Sequence, residues 1–249
     1  MEAWELLVAF AGSFVAGYLG SMLGLVLGTL RLPLIVLASG SPLAAAGTNI
    51  AISAAAAAAG GLKHAREGRV DWRIVAWTAP PSVVGAALGA LLAPEVSEAL
   101  LYGLIAAVLL WSGVDLVLRP IAARPRERLR VWRGGFLSFG IGVLGGAIGV
   151  ILGTLRMPTL IREVGMDVRR AAGTNLVVGF LLGLSAFTVY AAGGEGVVWG
   201  VLVAGLAGAI PGGWLGARAT GRFSETALRL ALGAVLVVVG LAFAAQALF

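Results

Sequence analysis

Residues 24–33 read G-L-V-L-G-T-L-R-L-P and residues 149–158 read G-V-I-L-G-T-L-R-M-P, seven identities in ten positions at a separation of 125. A repeat on this scale constrains the fold more than any local propensity, because two copies of one supersecondary unit must pack against each other. Further along, Ala46-Gly47-Thr48-Asn49 returns as Ala172-Gly173-Thr174-Asn175 at a separation of 126, which places one inserted residue in the second copy. Pro80 and Gly85 then pair with Pro211 and Gly216 at a separation of 131. The chain therefore divides into a first repeat, 1–120, a basic linker, 121–133, within the charged run Arg119 to Arg133, and a second repeat, 134–249.

Both copies are too apolar for water. Hydrophobic residues make up 59% of the chain and charged residues 12%, whereas soluble domains carry about 25% charge. Apolar stretches long enough to cross a bilayer core of about 30 Å recur from end to end, so the fold class is an all-α integral membrane protein. Met1 to Glu5 offers no basic leader, and the first apolar segment is expected to stay in the mature protein. The net charge of +6 does not point to nucleic acid, because the basic residues lie in short loops between apolar segments. The chain has no cysteine and a lone histidine, His64, which its basic loop is expected to keep solvated. No metal-ligand spacing, cofactor motif, nucleotide-binding loop or catalytic constellation is present, which argues against an enzyme or an ATP-driven pump.

Loop charge indicates how the copies face. In the first copy, loop 63–73 carries four Lys or Arg, while 39–43 carries none and 93–98 is acidic. In the second copy the pattern is reversed: 191–197 has no basic residue, and Arg162, Arg169, Arg170, Arg218, Arg222 and Arg229 fall in the other two loops. Basic loops stay cytoplasmic, so the copies must be inverted, and inversion requires an odd number of crossings in each. A re-entrant or tightly paired helical hairpin at 4–40 and again at 134–165, followed by three transmembrane helices, gives that count. Gly20, Gly24, Gly28 and Pro33 interrupt the first hairpin; Gly145, Gly146, Gly149, Gly153 and Pro158 interrupt the second. Both termini are then expected outside, with Trp72 and Trp132 in an interfacial belt.

Interrupted helices at matched positions of inverted halves point to a transporter's midplane site. Arg31 and Arg156 lie there, each a fixed charge in an apolar segment, at a cost of several kcal/mol or more at the bilayer centre. The first copy has no Asp or Glu between Glu5 and Lys63 to neutralise Arg31. An anion would serve, and guanidinium grips oxyanions in bidentate fashion at any biological pH. The competing reading is that each arginine snorkels to an interface or binds backbone carbonyls freed by the break. Thr29 and Thr154, beside the arginines, offer hydroxyl donors, and Gly28 and Gly153, at the interruptions, complete the candidate site. Thr48, Asn49, Thr174 and Asn175 precede apolar runs as helix N-caps do, where backbone N–H groups also favour an anion. The two arginines are expected to meet in one shared site. Asp115 lies near a span end, with Arg119 four residues on to neutralise it.

The doubled glycine-rich segment ending in Pro33 and Pro158, each followed by an A-G-T-N helix start, resembles the TauE/SafE family of sulfite-exporter-like transporters over nearly the whole chain. The resemblance implies movement of sulfite, sulfonates or related small anions, with the glycine-rich segments and Thr48, Asn49, Thr174 and Asn175 lining the path. The chain departs from the family's usual G-x-G-G-G run, having Val26-Leu27-Gly28 and Ile151-Leu152-Gly153, and Arg31 and Arg156 stand where apolar residues are more common. The leading expectation is a secondary transporter of a small oxyanion in the plasma (inner) membrane, with a passive anion channel or a lipid-handling protein as alternatives. Membrane lipids, a small anionic substrate and a second copy of the chain are the expected partners.

Overall fold

The computed structural model describes residues 3–23, 27–118, 131–194, 196–219 and 225–248, and every regular element among them is helical. The first half comprises α1 (Ala3–Leu23), α2 (Gly28–Ser39), α3 (Pro42–Arg66), α4 (Trp72–Leu92), which closes in the 3-10 turn Ala93–Glu95, and α5 (Glu98–Leu118). The second half repeats the order: α6 (Val131–Ile148), α7 (Gly153–Pro158) continued by a π-helical turn (Thr159–Val164), α8 (Val168–Gly193), α9 (Trp199–Arg218) and α10 (Glu225–Leu248). Most of the expected linker lies outside the described residues, as does Arg119. Its last positions, 131–133, already belong to α6.

Among the described residues six helices, α1, α3, α4, α5, α8 and α9, are long and apolar enough to cross a bilayer, which makes this a multi-pass helical membrane protein. With 12 residues, α2 reaches only about 18 Å at the helical rise and cannot cross alone. The interruptions that the glycines announced fall between α1 and α2 and between α6 and α7. Pro33 does not break its segment but lies inside α2, where neighbouring helices hold the turn around it. Two true start signals precede the A-G-T-N motif. Gly40, at φ 70°, closes α2 with its N–H on the Val36 carbonyl, and Pro42 opens α3 after an extended Ser41.

Packing exchanges partners between the halves. The first helix of each half lies on the fourth helix of the other, α1 on α9 and α6 on α4, while the equivalents α3 and α8 pair, as do α5 and α10. Small residues let backbones touch: Gly208, Gly212 and Gly216 of α9 face the carbonyls of Phe10, Phe14 and Tyr18, and Gly85 and Gly89 of α4 face those of Phe139 and Val143. This register equates Gly85 with Gly212 and Gly89 with Gly216. The pairing of Gly85 with Gly216 read from the sequence is therefore one helical turn too long. Glycines four apart recur in both helices, which made the two registers indistinguishable from sequence.

The equivalent helices run antiparallel. Gly47 of α3 packs on Tyr190 of α8, Gly183 on Ala54, and Gly60 on Leu176. Likewise Gly103 of α5 lies by Ala247 of α10, and Gly113 by Val237. One end of the molecule consequently gathers, among the described residues, basic residues from the loops and adjoining helix ends of both halves. Arg66 and Arg218 flank the Trp214 ring at 5.6 and 5.3 Å, and the Arg69 carbonyl meets Gly173, near Arg169 and Arg170. Glu67 there binds Lys63 at 2.8 Å and Arg69 at 2.9 Å, and the Lys63 hydrogen bond holds its carboxyl below the usual range. At the opposite end Leu43, Pro94 and Gly193 line a cleft. His64 departs from expectation: the last turn of α3 turns it inward, 1% exposed, with its Cβ against Gly173 of α8. A basic loop follows it, but helix packing buries it.

Candidate functional site

Arg31 lies near the start of α2 and is 1% exposed, so it does not snorkel. Its Nε donates to Asn49 Oδ1 at 3.0 Å, and Nη2 donates to Ser53 Oγ at 2.6 Å and to the Asn49 carbonyl at 3.0 Å. Asn49 and Ser53 are one turn apart on α3 and so share a face. Because Nε only donates, it fixes the amide with Oδ1 toward the arginine. The Asn49 amide nitrogen then donates to the carbonyls of Gly28, at 3.2 Å, and Gly149, at 2.9 Å. One asparagine thus ties both helix breaks to α3. Gly28 is required by the same contact, since a Cβ there would run into Ser53 Oγ. The space left beside Arg31 is about 10 Å³, room for one water at most.

Arg156 repeats the placement but not the bonding. It is 0% exposed, and only Nη1 reaches Asn175, at 3.4 Å to Oδ1 and 3.5 Å to the carbonyl. The Asn175 amide reaches the Gly153 carbonyl at 3.4 Å. At the position matching Ser53 the second half has Gly179, so the hydroxyl that caps Arg31 has no counterpart. Nε and Nη2 of Arg156 have no hydrogen-bond partner among the described residues. A buried donor left unmet costs about 1–3 kcal/mol, and more when charged. Neither guanidinium meets a carboxylate among the described residues.

The two arginines do not build one shared site. Each is held by its own half's asparagine, and the antiparallel α3–α8 contact sets Asn175 level with Gly61, about 18 Å along α3 from Asn49 at the helical rise. They form two matched clusters.

The threonines have another task. Thr48 and Asn49 are inside α3, and Thr174 and Asn175 inside α8, which Asp167 caps through the Arg170 N–H at 3.0 Å. The N-cap reading is therefore corrected: Thr48 Oγ1 donates back to the Ala44 carbonyl at 2.8 Å and accepts the Val198 N–H, also at 2.8 Å, at the start of α9. Thr174 Oγ1 accepts the Asp71 N–H at 2.9 Å, at the start of α4. Gly47 and Gly173, one residue earlier, let the same loops approach at Gly196 and Arg69. Each A-G-T-N motif thus clamps the fourth helix of the other half by its glycine and threonine and orients its own arginine by its asparagine. Thr154 pairs with Ser112 of α5 at 2.9 Å, and Thr29 Oγ1 is buried without a partner among the described residues.

Neither Ser53 nor Ser112 is reached from the sequence, and Gly149 is reached only as a helix break. Ser53 has a signal in its spacing of one turn from Asn49.

The sequence model of the family described as "Sulfite exporter TauE/SafE" matches residues 9–243. Among curated proteins, a Sinorhizobium "Probable membrane transporter protein ORF9" is 28% identical over 96% of this chain and 90% of its own. A Haemophilus influenzae "Probable membrane transporter protein" is 25% identical over 90% of this chain and 88% of its own. A third, YdhB of Bacillus subtilis, described in the same words, is 26% identical over 79% and 82%. No solved structure matches the chain.

Proposed function

The chain belongs to the sulfite exporter TauE/SafE family, and on that premise we propose that this membrane transporter carries a small oxyanion, such as sulfite or an organosulfonate, across the plasma membrane by a secondary mechanism. The observation that carries the reading is the pair of fully buried guanidinium groups beside the two helix breaks, with no carboxylate neighbour among the described residues. A fixed buried positive charge in an apolar bundle favours an anionic visitor over a cation or a neutral solute.

The two halves lie in opposite orientation in the bilayer, with the basic end cytoplasmic. The antiparallel run of α3 against α8 and the gathering of Arg66, Arg69 and Arg218 at one end support this. Single cysteines in the cysteine-free chain test it. Gly68 and Gly194 are unsuitable positions because their φ values are 70° and 84°. At Arg66→Cys the thiol is expected to be shielded from an impermeant external reagent, and at Gly193→Cys labelled. Equal labelling of both in sealed cells sinks the inverted arrangement.

Transport itself is tested in proteoliposomes with radiolabelled sulfite and methanesulfonate. A carrier gives saturable uptake that is accelerated by unlabelled substrate preloaded inside. Unitary currents without counterflow identify a channel instead, and absence of flux for every oxyanion offered removes the anion reading.

A further inference from the structure

The two arginine clusters are matched in place and unequal in chemistry. In the first, the protein itself occupies the Nε–Nη2 edge of Arg31 with Asn49 Oδ1, the Asn49 carbonyl and Ser53 Oγ, at 2.6–3.0 Å. In the second, the same edge of Arg156 meets no protein acceptor among the described residues, although the side chain is 0% exposed. That edge carries two parallel N–H bonds, the geometry with which guanidinium takes two oxygens of one carboxylate, sulfonate or phosphate group. The first cluster retains room for one water, and the second has a glycine, Gly179, where the first has its capping serine.

We propose that the cluster of Arg156, Asn175 and Gly179 is the anion-binding site and that Arg31, Asn49 and Ser53 form its internally satisfied structural counterpart. The proposal rests on the small-oxyanion reading above and narrows it to one site per chain. Duplication supplied two matched positions, and two differences separate them: serine 53 against glycine 179, and the guanidinium nitrogens that face the asparagine, Nε and Nη2 in Arg31 but Nη1 in Arg156. At residue 53 a hydroxyl takes Nη2 while Asn49 takes Nε; at residue 179 there is no hydroxyl to offer, Asn175 meets Nη1 instead, and Nε and Nη2 are left to the ligand. Nη1 stays on Asn175 and fixes the plane, so the ligand's two oxygens face Nε and Nη2. Tetrahedral or pyramidal oxyanions with at least two free oxygens fit this edge with one oxygen on each N–H, whereas a spherical halide must share both N–H bonds at a single point.

The test is isothermal titration of the purified full chain with sodium sulfite and sodium methanesulfonate, with chloride as comparator, and melting temperature followed in parallel. Wild type is expected to bind one oxyanion per chain. Gly179→Ser should weaken binding at least tenfold, because the new hydroxyl takes the Arg156 edge, and should raise the ligand-free melting temperature. Arg156→Gln should lose binding without a lower ligand-free melting temperature, which covers the case in which the serine does not fit. Ser53→Gly is expected to keep the wild-type site and to add a weaker second one. Wild-type affinity in both Gly179→Ser and Arg156→Gln, with binding lost instead in Arg31→Gln, overturns the assignment while leaving the oxyanion reading intact. Absence of heat and of melting shift in wild type with either anion overturns both.

Discussion

Arg31→Met and Arg156→Met are expected to diverge in stability although they alter the same position of the repeat. Arg31→Met should lower the melting temperature in an oxyanion-free detergent buffer by roughly 6–12 °C, the equivalent of about 3 kcal/mol for a chain of this size. Arg156→Met should leave it unchanged within about 2 °C. In a membrane protein the unpacked helices remain in the apolar phase, so the cost of dehydrating a guanidinium largely cancels between states and the hydrogen bonds decide the sign. Arg31 loses three bonds of 2.6–3.0 Å and leaves Asn49 Oδ1 without its donor. Interhelical bonds in membranes average near 0.6 kcal/mol and an orphaned buried acceptor adds about 1–3, hence the total. Arg156 loses only contacts of 3.4 and 3.5 Å to Asn175. Equal losses in the two variants would mean that both arginines are structural, and the inequality drawn from their bonding would fall.

That comparison also marks what was legible in the sequence. Residues 24–33 and 149–158 announced the repeated order of helices and their glycines the two helix breaks, and the loop charge anticipated that Arg66, Arg69 and Arg218 lie at one end of the molecule. All three are local or periodic properties. The role of A-G-T-N was not local. Thr48 serves Val198, and Asn49 serves Gly149, pairs separated by 150 and 100 residues, so the polar-then-apolar pattern was read as a nearby N-cap. The earlier signals, Gly40 and Pro42, were the true helix boundary. His64 follows the same logic: its neighbours in the chain are charged, while in space its Cβ lies against Gly173 of α8. The serine at 53 against the glycine at 179 was always in view, yet it acquires meaning only when Asn49 is known to orient Arg31 and the next turn of α3 is seen to complete the cap.

Gly149→Ala is expected to abolish the folded state, and Gly40→Ala to reduce stability only slightly, although both glycines have φ of 70°. Forcing alanine into the left-handed region costs about 1–2 kcal/mol at either position. At Gly40 nothing lies within 4 Å of the added carbon, so that strain is the whole effect. At Gly149 the added carbon would run into the Cα and carbonyl of Ala46 in α3. Backbone cannot rotate aside as a side-chain tip can, so α3 and the end of α6 must separate. The Gly149 carbonyl is the acceptor that Asn49 uses to reach the second half, and the adjacent Val150 N–H closes the end of α6 on the Gly145 carbonyl at 2.8 Å. Separation therefore also loosens the amide that orients Arg31. Together these losses exceed about 4 kcal/mol, a large share of the stability a typical fold possesses. Size-exclusion profiles of fluorescent fusions in mild detergent report the outcome: a monodisperse peak for Gly40→Ala and aggregate or no peak for Gly149→Ala. Indistinguishable profiles would show that the two halves do not meet at Ala46 and Gly149, and the junction between the breaks would have to be redrawn.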